Sequence, residues 1–274
     1  MIIPYKKFSL FIDTKYFKPD KATIIFLHGF TGSSSDWKDI IPAIDNEFSC
    51  IAIDIIGHGK SSSPENYSYY ELESIINQLD TIIESLQIDQ IILVGYSMGG
   101  RIALNYAIQR KKRIKGLILE STTAGIKSNM ERDDRFQNDK SLSQKIKNDG
   151  VELFVKYWMN LPIFSSQKIL PEELINQIIR NKNENTSTGL SNSLLGFSTG
   201  KMSPLWEKLE TLNLPTLLIA GGLDDKYYKL NEEMNNLLPS SSLESVNGAG
   251  HNIHLEKPSE FVILVNRFLR SNFT

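Results

Sequence analysis

Two textures of apolar and polar positions alternate along this chain. Short continuous apolar runs at Thr23–Leu27, Ile51–Asp54, Ile91–Val94, Ile114–Glu120 and Leu214–Ala220 have the length and β-branched content of strands buried on both faces. Between two of them, Leu72, Ile75, Ile76, Leu79, Ile82, Ile83 and Leu86 recur at the spacing of one helical face, which predicts a covering helix over 69–86. Residues Arg101–Ala107 read as a second helix, and Lys226–Leu238 as a later one. Phe8–Ile12 predicts an edge strand, and Leu243–Val246 a short strand near the C-terminus. Strands alternating with helices call for an α/β fold with a mostly parallel, doubly wound sheet and right-handed crossovers.

The texture changes at about residue 126, where Lys, Asn, Asp, Gln and Ser dominate and apolar positions keep helical spacing without strand-like runs. Helices are predicted at Arg132–Lys147, Val151–Met159 and Glu172–Asn181, and the polar run Asn181–Thr188 predicts a loop. The chain therefore divides into a first core part, 1–125, a helical cap insertion, 126–205, and a second core part, 206–274. A cap over the carboxyl ends of the strands would roof the place where open α/β sheets bind ligands.

Chemistry concentrates at the ends of the predicted strands. The run Ile91–Val94 leads into Gly95-Tyr96-Ser97-Met98-Gly99-Gly100, a Gly-x-Ser-x-Gly text between strand and helix. This predicts a nucleophile elbow, with the Ser97 hydroxyl at a helix N-terminus where developing negative charge is favoured. A serine hydroxyl is a weak nucleophile near neutral pH and needs an imidazole to take its proton. His251, in a tight loop after the last strand, is the candidate; His254 lies further on, facing elsewhere, and His58 reads as structural. The carboxylate that orients the imidazole is assigned to Asp224, ahead of Asp225, on the Gly-Gly-x-Asp spacing. The backbone N–H groups of Phe30, from the His28-Gly29 turn, and of Met98, after the serine, are the expected oxyanion donors. Ser, Asp, His in that chain order, with the elbow and the His-Gly turn, resembles the α/β-hydrolase superfamily.

Composition narrows the reading further. The 274 residues are 41% hydrophobic and 23% charged, with a formal charge of −2. That balance gives no reason to expect nucleic acid or a membrane surface as partner. A single cysteine, Cys50, excludes an intramolecular disulfide and sits in an apolar run, so it reads as a core residue. The N-terminal text lacks the order of a signal peptide, and a cytoplasmic enzyme is expected. Neither a metal nor a cofactor is called for.

A narrower resemblance rests on Gly95–Arg101, Glu131-Arg132-Asp133-Asp134-Arg135, Trp158 before Pro162, Gly200–Trp206, Asp224-Asp225-Lys226-Tyr227 and Gly250–His254. Together these resemble the 2-succinyl-6-hydroxy-2,4-cyclohexadiene-1-carboxylate synthases of menaquinone biosynthesis. The resemblance implies a lyase, in which the triad removes a proton from a cyclohexene carboxylate and pyruvate leaves without consumption of water. It also implies that Tyr96 and Trp158 border the substrate. Lys201-Met202-Ser203 departs from the polar amide text usual in that family. Charge supports the reading, because a small polycarboxylate substrate should be met by several guanidiniums, which pair with carboxylates in a planar fork. Arg101, at the start of the elbow helix, Arg132 and Arg135 on one cap helix, and Arg180 on a later one are the expected substrate-binding residues. A hydrolase of esters or carbon–carbon bonds, and a ligand receptor on the same fold, are the rival readings. Fast turnover of a simple aryl ester would mark the first, and binding without turnover the second.

Overall fold

A computed structural model describes residues 1–274. Its centre is one eight-stranded sheet: β1 (Ile2–Tyr5), β2 (Phe8–Tyr16), β3 (Thr23–Leu27), β4 (Ser49–Ile53), β5 (Ile91–Tyr96), β6 (Ile114–Glu120), β7 (Thr216–Gly221) and β8 (Ser241–Val246). The spatial order is β1-β2-β4-β3-β5-β6-β7-β8. The β1–β2 and β2–β4 pairs are antiparallel, and every pair from β4 to β8 is parallel. This is the α/β-hydrolase architecture. Strands β3 and β6 fall where the apolar runs place them. The edge differs, since β2 extends beyond Ile12 and a further strand, β1, lies outside it. Of the four residues of β1 only Ile3 and Tyr5 are buried, too short an alternation to stand out in the sequence.

The central strands are apolar on both faces because both are covered. In β3, Ile25 and Leu27 join one core cluster while Ile24 and Phe26 join the other. Helices α1 (Leu72–Ser85) and α2 (Met98–Gln109) follow β4 and β5, and their apolar faces, such as Ile76 and Ile83 of α1, enter the first cluster. The second cluster is closed by Trp37, in a short 3-10 turn (Ser34–Trp37), and by residues of the C-terminal helix described below.

Between β6 and β7 the chain forms α3 (Asn129–Met159), α4 (Glu172–Asn183), α5 (Ser187–Gly196) and the short α6 (Trp206–Leu209). The two helices expected before residue 160 are one element broken at Gly150, whose φ of 80° and ψ of 172° only glycine adopts readily. Helix α5 begins inside the segment expected to be a loop. Ser191, Asn192 and Ser193 are buried beside Leu190 and Leu194, so the helix shows no polar face from which a helical period could be read. Its leucines and Ile146 and Phe154 of α3 make a small separate core, packed with Phe30 and Trp158. Helices α7 (Asp225–Leu237), α8 (Ile253–Glu256) and α9 (Pro258–Phe273) complete the chain. Helix α9 buries Phe261, Val265, Phe268 and Leu269 in the second cluster. No helix is long and apolar enough to cross a membrane.

Candidate active site

Strand β5 delivers Ser97 to the carboxyl edge of the sheet. Ser97 has φ 49° and ψ −102°, a left-handed conformation that costs a non-glycine residue on the order of 1–3 kcal/mol and persists only when its surroundings enforce it. Those surroundings are hydrogen bonds at 2.8–3.1 Å. Ser97 N–H donates to the Glu120 carbonyl, Thr122 Oγ–H donates to the Ser97 carbonyl, and the N–H of Arg101 donates to the same carbonyl. The tight turn also needs a residue without a side chain at Gly99, because a Cβ there would lie 2.1 Å from the Leu27 carbonyl oxygen.

Asp224 caps the N-terminus of α7, its Oδ1 accepting the Tyr227 N–H at 3.3 Å. Its other oxygen, Oδ2, lies 2.6 Å from His251 Nδ1. That contact makes Nδ1 the donor and leaves Nε2 as an acceptor, 3.1 Å from Ser97 Oγ. The imidazole is held by the backbone on either side of it: Gly250 N–H and Asn252 N–H donate to the two oxygens of Glu256, at 2.6 and 3.3 Å. Asp225, the alternative carboxylate, is exposed. His254 is buried and turned away from the serine. Its Nδ1 bonds Glu120 Oε2 at 2.7 Å and its ring stacks on Trp37, centroids 4.1 Å apart. His58 is also buried, near His28, and burial depresses its pKa well below the usual imidazole range. Cys50 is buried in the core, which pushes its thiol up to about 12.

Ser97 and His251 open into a cavity of about 740 Å³, its mouth included, whose wall also contains Phe30, Tyr96, Met98, Arg101, Arg135 and Trp158. Met98 is the first residue of α2, and no carbonyl of the chain accepts its N–H or that of Phe30. The aromatic side of the cavity is a chain of edge and tilted contacts from Phe30 to Trp158 to Phe164, with centroids 5.2 and 5.9 Å apart.

The charged side comes from α2 and α3. Arg101 is buried; its guanidinium lies 4.6 Å above the Phe197 ring and donates to the Phe197 carbonyl at 3.2 Å. Burial, and then the nearby Arg135 charge, pull it down to about 10, so it remains cationic at neutral pH. Arg135 reaches the same cavity, with its Nε bonded to Asp139.

The other two arginines are not brought to the cavity wall. Arg132 turns back to donate to the carbonyls of Ile126 and Lys127 at 3.2 and 3.1 Å, satisfying backbone groups ahead of its own helix. Arg180 donates to Gln177 at 2.9 Å on the exposed side of α4. Sequence reasoning also missed residues that do line the cavity: Tyr227, Asp139, Phe197, Ser193 and Ser198. Tyr227 had a signal, since its position three residues after Asp224 keeps it on the capped first turn, and its ring lies 4.4 Å from that of His251. Burial raises its phenol pKa. Ser193 had none, because α5 itself was not legible.

Comparison with known proteins places this arrangement. A family model for the alpha/beta hydrolase fold matches residues 22–258. A protein of Bacillus subtilis (strain 168), provisionally named a 2-succinyl-6-hydroxy-2,4-cyclohexadiene-1-carboxylate synthase, is 40% identical over 248 residues, 90% of each chain. The chain belongs to this synthase family of α/β-hydrolases. A synthase of the same name from Photorhabdus laumondii is 30% identical over 91% of this chain and 86% of its own. The solved structure described as "Structure of MenH from S. aureus" superimposes with a TM-score of 0.91 at 33% identity, covering 97% of this chain and 99% of that one. The synthase family is one of lyases built on a hydrolase fold, so the triad geometry alone does not decide between adding water and eliminating a group.

Proposed function

We propose that this chain is a cytoplasmic lyase of menaquinone or phylloquinone biosynthesis that forms 2-succinyl-6-hydroxy-2,4-cyclohexadiene-1-carboxylate by eliminating pyruvate from an enolpyruvyl-bearing cyclohexene precursor. The observation that carries the reading is the convergence of two guanidiniums, Arg101 and Arg135, on the cavity that holds Ser97 and His251. A small neutral ester would gain little from two fixed cations in a partly desolvated wall, whereas a polycarboxylate gains charge-assisted bonds to both.

In this reading 126–205 is a cap over a core made of 1–125 and 206–274. Ser97 Oγ passes its proton to His251 Nε2 and takes a proton from the substrate carbon next to the succinyl carbonyl. Asp224 stabilises the imidazolium that results. The electron pair left on carbon spreads into that carbonyl, and the free N–H groups of Phe30 and Met98 are the donors for the developing oxyanion. The pair then returns through the ring to expel enolpyruvate and leave a conjugated diene. The proton taken from carbon ends on the leaving group, which becomes pyruvate, His251 returns its own proton to Ser97 Oγ, and no water is consumed. Tyr96 and Trp158 border the ring of the substrate, while Arg101 and Arg135 hold its carboxylates.

The test is to supply the pyruvyl-bearing precursor and follow pyruvate release together with diene absorbance. Equimolar appearance of the two is expected. Turnover of a simple aryl ester far above any pyruvate release would instead make the chain a hydrolase.

A further inference from the structure

A polyanion site has no evident use for a carboxylate in its wall, yet Asp139 lines this one with its side chain only 1% exposed. Such a group weakens binding through like-charge repulsion unless it does something else. Its bonds indicate what. Both of its oxygens accept from Arg135 Nε, at 3.0 and 3.1 Å, and neither terminal nitrogen of that guanidinium bonds within the chain. The two-donor end of the fork is thus left over, on a residue that lines the cavity. Asp139 is itself fixed from behind: Ser198 Oγ–H donates to its Oδ2 at 2.6 Å, and the same Oγ accepts the Gly200 N–H at 2.9 Å. The turn supplying these groups is pressed against α3, since a Cβ on Gly200 would lie 2.4 Å from the Arg132 carbonyl oxygen.

We infer that Asp139, buttressed by Ser198, is a positioning residue that clamps Arg135 by its Nε and so aims the terminal nitrogens at a substrate carboxylate. The inference rests on the lyase reading for the identity of that carboxylate. Two effects of the Asp139 charge oppose each other. Its repulsion of a bound anion lowers affinity, whereas its hold on Arg135 raises it, and the buried bonding geometry makes the second the larger.

The test is a set of substitutions in the full chain. Asp139→Asn is expected to raise KM for the pyruvyl-bearing precursor about tenfold, the equivalent of one charge-assisted hydrogen bond, with the loss falling on KM rather than kcat. In an Arg135→Ala background the same substitution is expected to leave KM unchanged or lower it, because only the repulsion of the bound anion remains there. Ser198→Ala should raise KM about threefold, and lose that effect in the same background. A fall or no change in KM with Arg135 present, a loss confined to kcat, or undiminished effects in the Arg135→Ala background would each overturn the inference. Should Asp139→Asn fail to fold, Ser198→Ala decides. A second readout does not depend on lyase turnover: the rate of Ser97 acylation by p-nitrophenyl hemisuccinate relative to p-nitrophenyl acetate should fall about tenfold in Asp139→Asn. Absence of pyruvate release by the unsubstituted chain would sink the lyase reading, while this ratio still decides the role of Asp139.

Discussion

Two walls of one cavity are built in different ways. The wall with Ser97 and His251, backed by Asp224, grows from the ends of β5, β7 and β8, and each residue is fixed through its own backbone or that of its neighbours: Ser97 by three hydrogen bonds, His251 by the Glu256 carboxylate, Asp224 as a helix cap. The wall with Arg101, Arg135 and Asp139 joins α2, packed in the main core, to α3, which shares with α5 a core of four buried residues with a few partly buried neighbours, and its groups are held by side-chain bonds. In the lyase reading, reactivity is thus tied to the strand ends, and selectivity is shared between the elbow helix and the helices between β6 and β7. One fold can therefore exchange substrates while its proton-transfer unit stays in place.

The comparison breaks most severely at the triad. Ser97→Ala and His251→Ala are each expected to lower kcat by roughly 10²–10⁴-fold, the range for a removed acid–base group. The double variant should be little worse than either, because the parts act as a unit. Additive losses measured in steady-state assays would separate the two residues. Next comes Arg101→Met. If Arg101 holds a substrate carboxylate, truncation costs about 2–5 kcal/mol, or roughly 30-fold to several thousand-fold in kcat/KM. The loss should be far larger for the polycarboxylate than for a small neutral ester, and equal losses on both would reduce Arg101 to a support of the elbow.

Smaller effects probe what joins the walls to the fold. Glu120 and His254 are both fully buried and paired, so Glu120→Gln leaves a buried partner behind. That should destabilise the chain by about 3 kcal/mol, a fall in Tm of roughly 6–12 °C readable by calorimetry. The smallest effects belong to Arg132→Ala and Arg180→Ala, which should leave kcat/KM within about twofold, since surface charges away from the site contribute little. A tenfold loss at Arg180 would mean that α4 moves toward the cavity when substrate binds.

What the chain declares by itself is the sheet and the elements at its strand ends. Runs such as Ile24–Leu27 and Ile114–Leu119 are apolar at every position, apart from Lys115 and Gly116, because helices cover both faces. The elbow is legible because its turn tolerates few residues, so Gly95, Ser97 and Gly99 are constrained by local geometry. The order Ser97, Asp224, His251 is legible for a related reason, each being tied to the end of its own strand. Tertiary structure decided the rest. Arg132 and Arg135 share a helix and a charge, yet one turns back on its own N-terminus and the other enters the cavity, a choice made by the carbonyls and carboxylate within reach. Helix α5 hides in the sequence because its polar residues are buried among partners supplied by distant segments, such as the Pro64 and Glu65 carbonyls that accept from Asn192. Local backbone requirements leave a mark at the residue that meets them; side-chain partnerships across the fold leave none until the partners are brought together.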